Sequence, residues 1–173
     1  DTLKQLYEKT NPLAMQHFVA RNGFDYEACA IGDVNGIVRL KVGKTPYVSS
    51  LLAVDGEPVG EMSVPCCTLQ EIAVRKHLEG RGLVKIDVQM AEHLVITGSA
   101  DFFRDHVGVV VLEATIARCH PDAKTLPEMV ALLDTLGFRY IDDAGEWRSP
   151  QTGILLQKDL VFMKEDLLVD GNL

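Results

Sequence analysis

Leu83-Val84-Lys85-Ile86-Asp87-Val88-Gln89-Met90-Ala91-Glu92 is the stretch on which the fold turns. Leu83 to Ile86 reads as a short apolar strand, and it stops on a carboxylate, Asp87. Directly downstream, Ala91, Leu94, Val95, Gly98 and Phe102 stand at i, i+3, i+4, i+7 and i+11, the spacing of one helix that lays a face on a sheet. Strand, terminal acid, helix is the first half of a βαβ unit.

The pattern repeats further on. Val107 to Leu112 is a continuous apolar run ending on Glu113, which suits a parallel strand buried on both faces. Thr125 and Glu128 form a capping box, Met129, Leu132, Leu133 and Leu136 supply a helical stripe, and Gly137 stops it. Phe138–Ile141 and Leu160–Met163 read as the last two strands, joined by a polar stretch with Gly145, Pro150 and Gly153. Alternation of strand and helix from Leu83 to Ile141 predicts right-handed crossovers and a parallel sheet. The final two strands have no helix between them, so they predict an antiparallel pair at one end.

Upstream, Leu3, Leu6 and Tyr7 start one helical stripe; Asn11 and Pro12 cap a second, which carries Met15, Phe18 and Val19 and ends at Gly23. Tyr26–Ile31 and Ile37–Val42 read as strands of a hairpin-like pair around the turn Asp33-Val34-Asn35-Gly36. Thr45 to Gly60 reads as loop. Thr68 and Glu71 make a capping box for a helix that Gly80-Arg81-Gly82 closes.

Bulk composition removes several functions. With 173 residues the chain reads as one domain with a sizeable core. No apolar run reaches the about 20 residues of a membrane span, and the start carries no secretory pattern. A formal charge of −8, from 25 acids against 17 bases, repels a phosphate backbone, so no nucleic-acid partner and no membrane partner is expected. Arg75, Lys76 and Arg81 read as a solvated helix face. The four cysteines show no C-x-x-C spacing and the five histidines no ligand spacing, so no metal is expected; reduced thiols fit a cytoplasmic protein. No Gly-x-Ser-x-Gly, G-x-G-x-x-G or G-x-x-x-x-G-K occurs.

In an open α/β sheet ligands collect beyond the carboxyl ends of strands. Asp87 and Glu113 stand at two such ends, on one rim if the strands are neighbours. Gln89 and Glu92 follow Asp87; Glu92 also suits a plain helix N-terminus.

These residues carry a resemblance. Val84-Lys85-Ile86-Asp87-Val88-Gln89-Met90-Ala91-Glu92 is similar to the fourth-strand motif Lys-Ile-Asp-Val-x-Gly-x-Glu of the FkbM family of S-adenosylmethionine-dependent methyltransferases. Ala30-Ile31-Gly32-Asp33 resembles the end of that family's third strand, and Val64-Pro65 with Thr68-Leu69 and Ile72 its lead-in to the next helix. Val109–Glu113 resembles strand five; Leu136-Gly137-Phe138 and Asp159-Leu160-Val161-Phe162 resemble the last two. Met90 stands where the family has glycine.

The resemblance implies a Rossmann-like class I methyltransferase sheet, mostly parallel with an antiparallel C-terminal pair, spanning residues 1–173 as a single α/β domain. It also implies that the first two strands and the glycine-rich cofactor loop are lacking. It implies S-adenosylmethionine as cofactor, with Ile31, Asp33 and Gln89 on its side, and methyl transfer to a small hydroxyl acceptor such as a sugar or secondary metabolite. Asp87 would be base or positioning group, with Glu113 and Glu92 shaping the acceptor side. A homo-oligomer is compatible with this reading. Two other classes remain: a non-catalytic methyltransferase-like remnant that binds a partner, and a small-molecule binding domain.

Overall fold

The computed structural model describes residues 27–44, 49–52, 57–118 and 120–169. The helices expected over Leu3–Tyr7 and Asn11–Gly23 lie outside these residues. Among the described residues two sheets form, both mixed.

The first sheet holds β1 (Ala30–Ile31), β2 (Gly36–Val42) and β3 (Gly60–Cys67) in the order β1-β3-β2. β1 runs parallel to β3, and β2 antiparallel to it. The expected hairpin between Tyr26–Ile31 and Ile37–Val42 is therefore corrected: β3 lies between its two arms. The turn at Asp33–Gly36 redirects the chain, and Asn35 Oδ1 accepts from the Thr68 amide at 2.9 Å, tying that turn to the far end of β3. β3 was not foreseen because Pro65 sits inside it, opposite Ile37, and proline removes a ladder donor.

The second sheet holds β4 (Gly82–Ile86), β5 (Val107–Thr115), β6 (Phe138–Arg148) and β7 (Leu155–Lys164) in the order β4-β5-β7-β6. β4 and β5 pair in parallel; β5 with β7 and β6 with β7 pair antiparallel. The antiparallel C-terminal pair is as expected. The mostly parallel sheet is not: β7 inserts between β5 and β6, so only one of the three pairings is parallel. β4 is an edge strand among the described residues, where the parallel reading put it inside.

Five helices lie among the described residues, four of them between strands. α1 (Leu69–Lys76) starts at Thr68, whose hydroxyl accepts from the Glu71 amide, and stops at His77, which takes φ 52°. It therefore ends before the glycines expected to close it. The single helix expected from Ala91 to Phe102 is two: α2 (Glu92–Thr97) and α3 (Ala100–His106). They break at Gly98 and Ser99, where tertiary contacts take over. A Cβ on Gly98 would lie 2.4 Å from the Asp33 Cα, and the Ser99 hydroxyl accepts from the Leu69 amide at 2.9 Å. α4 (Leu126–Asp134) begins with the expected capping box of Thr125 and Glu128, and α5 (Glu165–Val169) follows β7 directly.

The core lies on one face of the second sheet. Ile86, Val110, Leu112, Ala114, Leu160 and Phe162 are buried there against Val95, Ile96, Phe103, Met129 and Leu133 of the helices. The opposite face is covered less: Val109 and Val111 are half-buried and Leu83 is 64 % exposed. The expectation that β5 is buried on both faces therefore holds for one face among the described residues. No helix among them is long and apolar enough to cross a membrane.

Candidate active site

Parallel pairing of β4 and β5 puts Ile86 beside Leu112, so the next residue of each strand, Asp87 and Glu113, stand side by side on the less covered face. Glu113 does not end its strand. β5 runs on to Thr115 because β7 continues the ladder, pairing Glu113 with Asp159 and Thr115 with Gln157. Directly opposite residues of an antiparallel pair share a face, so Asp159 joins Asp87 and Glu113 in one row.

Gln89 connects the first two acids. Its side-chain amide donates to Asp87 Oδ1 at 3.0 Å and to Glu113 Oε2 at 3.3 Å. Lys85 Nζ reaches Asp87 Oδ2 at 3.0 Å. The turn that carries Gln89 is unusual: Gln89 has φ 54° and Met90 φ 73°, both in the left-handed region that favours glycine. Two groups hold it. Glu92 Oε1 accepts from the Val88 and Met90 amides, each at 3.1 Å, and the Ser50 hydroxyl donates to the Gln89 carbonyl at 2.6 Å. Glu92 is buried, and its carboxylate is the local cap of this turn.

Electrostatics separates the acids. Burial pushes the Glu113 carboxyl up to about 7, and the charges of Asp87, Glu92 and Asp159 push the same way. Burial also raises Glu92, against the pull of the amides it accepts from. Lys85 is raised, chiefly by its bond to Asp87. The arrangement is a row of carboxylates in which one is poised to exchange a proton near neutrality, a value suited to general acid–base work.

Of the expected site residues, Asp87, Gln89, Glu92 and Glu113 come together. Gln89 donates to both acids. Ile31 and Asp33 stand apart, at and just beyond the end of β1. Ile31 packs against the core, and Asp33 is exposed, its backbone pressed on Gly98. Sequence reasoning missed Lys85 and Asp159. Lys85 was within the decisive stretch, two residues before Asp87 and so on its face of the strand; Asp159 is legible only once β7 is placed against β5. His93 lies near Asp33 and Lys124, with a buried Nδ1 that has no hydrogen-bond partner among the described residues, and burial lowers its pKa. The described residues contain no group of three His, Cys, Asp or Glu placed to hold a metal ion.

In α/β folds ligands bind across the carboxyl ends of parallel strands, and Asp87 lies just past such an end, beside Glu113 of the neighbouring strand. A family model described as the methyltransferase FkbM domain matches residues 4–140, and the chain belongs to that family. No curated protein and no solved structure gives a match.

Proposed function

We propose that the chain is a methyltransferase that uses S-adenosylmethionine to methylate a hydroxyl of a small acceptor. The supporting observation is the Gln89 amide held between Asp87 and Glu113. A donor already sits where an acceptor hydroxyl would have to donate to lose its proton.

The residues fit the cofactor in part. A sulfonium is cationic, and the carboxylates of Asp87, Glu113 and Asp159 favour a cation nearby. Asp33, exposed just beyond β1, would accept from hydroxyl or amino groups of the nucleoside. Bound there, the cofactor would supply the electrophilic methyl. Asp87, held by Lys85 and Gln89, would orient the acceptor hydroxyl, and Glu113 would take its proton. Glu92 would act indirectly, by keeping the turn that presents Gln89. Orientation of the hydroxyl is the larger share of such a rate enhancement.

The proposal extends to the sheet. β4 has one strand partner among the described residues, and its Leu83 stays exposed. Open backbone edges and bare apolar faces are costly. We propose that two further strands belong between β1 and β4, completing a class I methyltransferase sheet.

Isothermal calorimetry with S-adenosylmethionine, followed by transfer of labelled methyl, tests the reading. Asp87→Asn should lower turnover at least about tenfold, the usual scale for a general base or its orienter; unchanged turnover removes it from the mechanism. One observation favours the second reading, a folded remnant acting as a binding module: Met90 occupies a left-handed position where the family carries glycine. Absence of cofactor binding by the chain would select that reading.

A further inference from the structure

We infer that Cys29 and Cys67 form a dithiol site that a low-molecular-weight disulfide, such as glutathione disulfide, converts to an intramolecular disulfide fastening β1 to β3. The inference stands apart from the methyltransferase reading.

The strand register brings the two thiols together. β1 and β3 pair in parallel, with Ala30 beside Cys66 and Ile31 beside Cys67. Side chains alternate along a strand, so Cys29, two residues before Ile31, lies on the face of Cys67. The Cys29 thiol hydrogen-bonds to the Cys67 sulfur. Both are free and half-buried. Cys66 projects to the opposite face and is 2 % exposed. Its Sγ packs so closely on Gly32 that a Cβ there would lie 3.1 Å away. The sequence neighbours Cys66 and Cys67 are thus parted, while Cys29 and Cys67, distant in sequence, meet.

Contacts on both sides hold this approach. Glu27 pairs with Arg75 at 3.3 Å and Lys76 at 3.0 Å, in the last turn of α1. The segment entering β1 is therefore clamped to the helix that follows Cys67. Beyond the pair, the Gly32 amide donates to the Cys67 carbonyl at 3.1 Å. Burial pushes the Cys29 thiol up to about 11, and the neighbouring Cys67 adds to the rise. Cys29 therefore holds its proton, and Cys67 is the sulfur left to attack first.

The exchange balances. Cys67 loses its proton, and its sulfur bonds to one sulfur of glutathione disulfide, whose S–S bond breaks and releases a glutathione thiolate. Cys29 then loses its proton and attacks the Cys67 sulfur of the mixed disulfide, expelling the second glutathione. Two electrons pass from the protein thiols to the glutathione disulfide, and the two protons end on the glutathiones released. The place gives the bridge an effect. β1 is two residues long and has one neighbour among the described residues. Such a strand opens locally at low free energy, and Asp33 follows it closely. The bridge closes residues 29–67 into a loop and removes that opening.

The full chain is equilibrated with mixtures of glutathione and glutathione disulfide, in native buffer and in denaturing urea. It is then alkylated and mapped by peptide mass spectrometry without reduction. The expected native product is the Cys29–Cys67 disulfide, with an effective thiol concentration at least about tenfold above that in urea, because the fold holds the pair together. A native bridge from Cys66 to Cys67, a bridge to Cys119, a stable mixed disulfide alone or no oxidation overturns the inference. So does an effective concentration equal to that in urea. Cys29→Ser should carry glutathione on Cys67; none there overturns the order of attack. Hydrogen exchange then compares reduced and oxidised wild type. Amides of residues 30–33 should exchange at least about tenfold more slowly when oxidised; unchanged exchange overturns the fastening of β1.

Discussion

Met90 and Gln89 hold a conformation that side chains avoid, at φ 73° and 54°, beside the two acids of the candidate site. Left-handed backbone costs a non-glycine residue about 1–2 kcal/mol. Three hydrogen bonds, from Val88 and Met90 to Glu92 and from Ser50 to Gln89, offset that cost. Met90→Val should lower unfolding free energy by at least about 1 kcal/mol, because a β-branched residue tolerates this region least. Met90→Gly should leave it unchanged or higher. Urea unfolding of the two variants checks both. Glu113 carries the second residue-scale prediction. Its carboxyl titrates at about 7 in the fold against 4.5 as a free group, so the folded state keeps a proton that the unfolded chain releases. The stability from neutral Glu113 is complete below pH 4.5 and is lost as pH rises to 7. Glu113→Gln should flatten most of that fall in a urea midpoint measured across the range. Glu92, raised by burial, leaves a slope of the same sign.

At the scale of elements, the break between α2 and α3 joins the two sheets. Gly98 presses on the backbone of Gly32 and Asp33, with no room for a Cβ: the Gly32 carbonyl oxygen would be 2.7 Å away. Backbone cannot yield as a flexible side chain can, so Gly98→Ala should cost about 1–3 kcal/mol. Ser99 is buried, and its hydroxyl accepts from the amides of Leu69 and Gln70 at the start of α1. Ser99→Ala orphans those donors and should cost about 1–3 kcal/mol. Thermal unfolding of each variant measures the loss. If Gly98→Ala melts with wild type, the contact between the helices and β1 is looser than described. The capping box that opens α4, with Glu128 accepting from the Thr125 amide and hydroxyl, was legible from the sequence because caps are local. The break at Gly98 was not, since a glycine inside a periodic stripe reads as a tolerated weak point.

At the scale of the molecule, β5 and β7 are interior strands and β4 is an edge among the described residues. Amides in β5 should exchange with deuterium near the rate of global unfolding; amides of β4 exchanging faster, as a strand held on one side does by opening locally at lower free energy, would count against the two further strands proposed above. Equal protection of the two strands would mean that β4 has a second partner in solution, as the class I sheet proposed above requires. Addition of S-adenosylmethionine should slow exchange around Asp33 and Asp87 if the cofactor spans them.

The sequence by itself determined the short-range features: the strand Leu83–Ile86 ending on Asp87, the cap at Thr68, the box at Thr125, the strong apolar run of β5, and a family motif dense enough to identify the lineage. These depend on periodicity and on residues a few positions apart. The tertiary structure alone decided strand order. It put β3 between β1 and β2, and β7 between β5 and β6. It extended β5 through Glu113 and joined Gln89 to the two acids. The reason is physical: a strand's pattern tells which face is apolar, but not which neighbour its backbone donors will meet. Pairing across tens of residues brings Asp159 to the row of Glu113, and no local spacing encodes that.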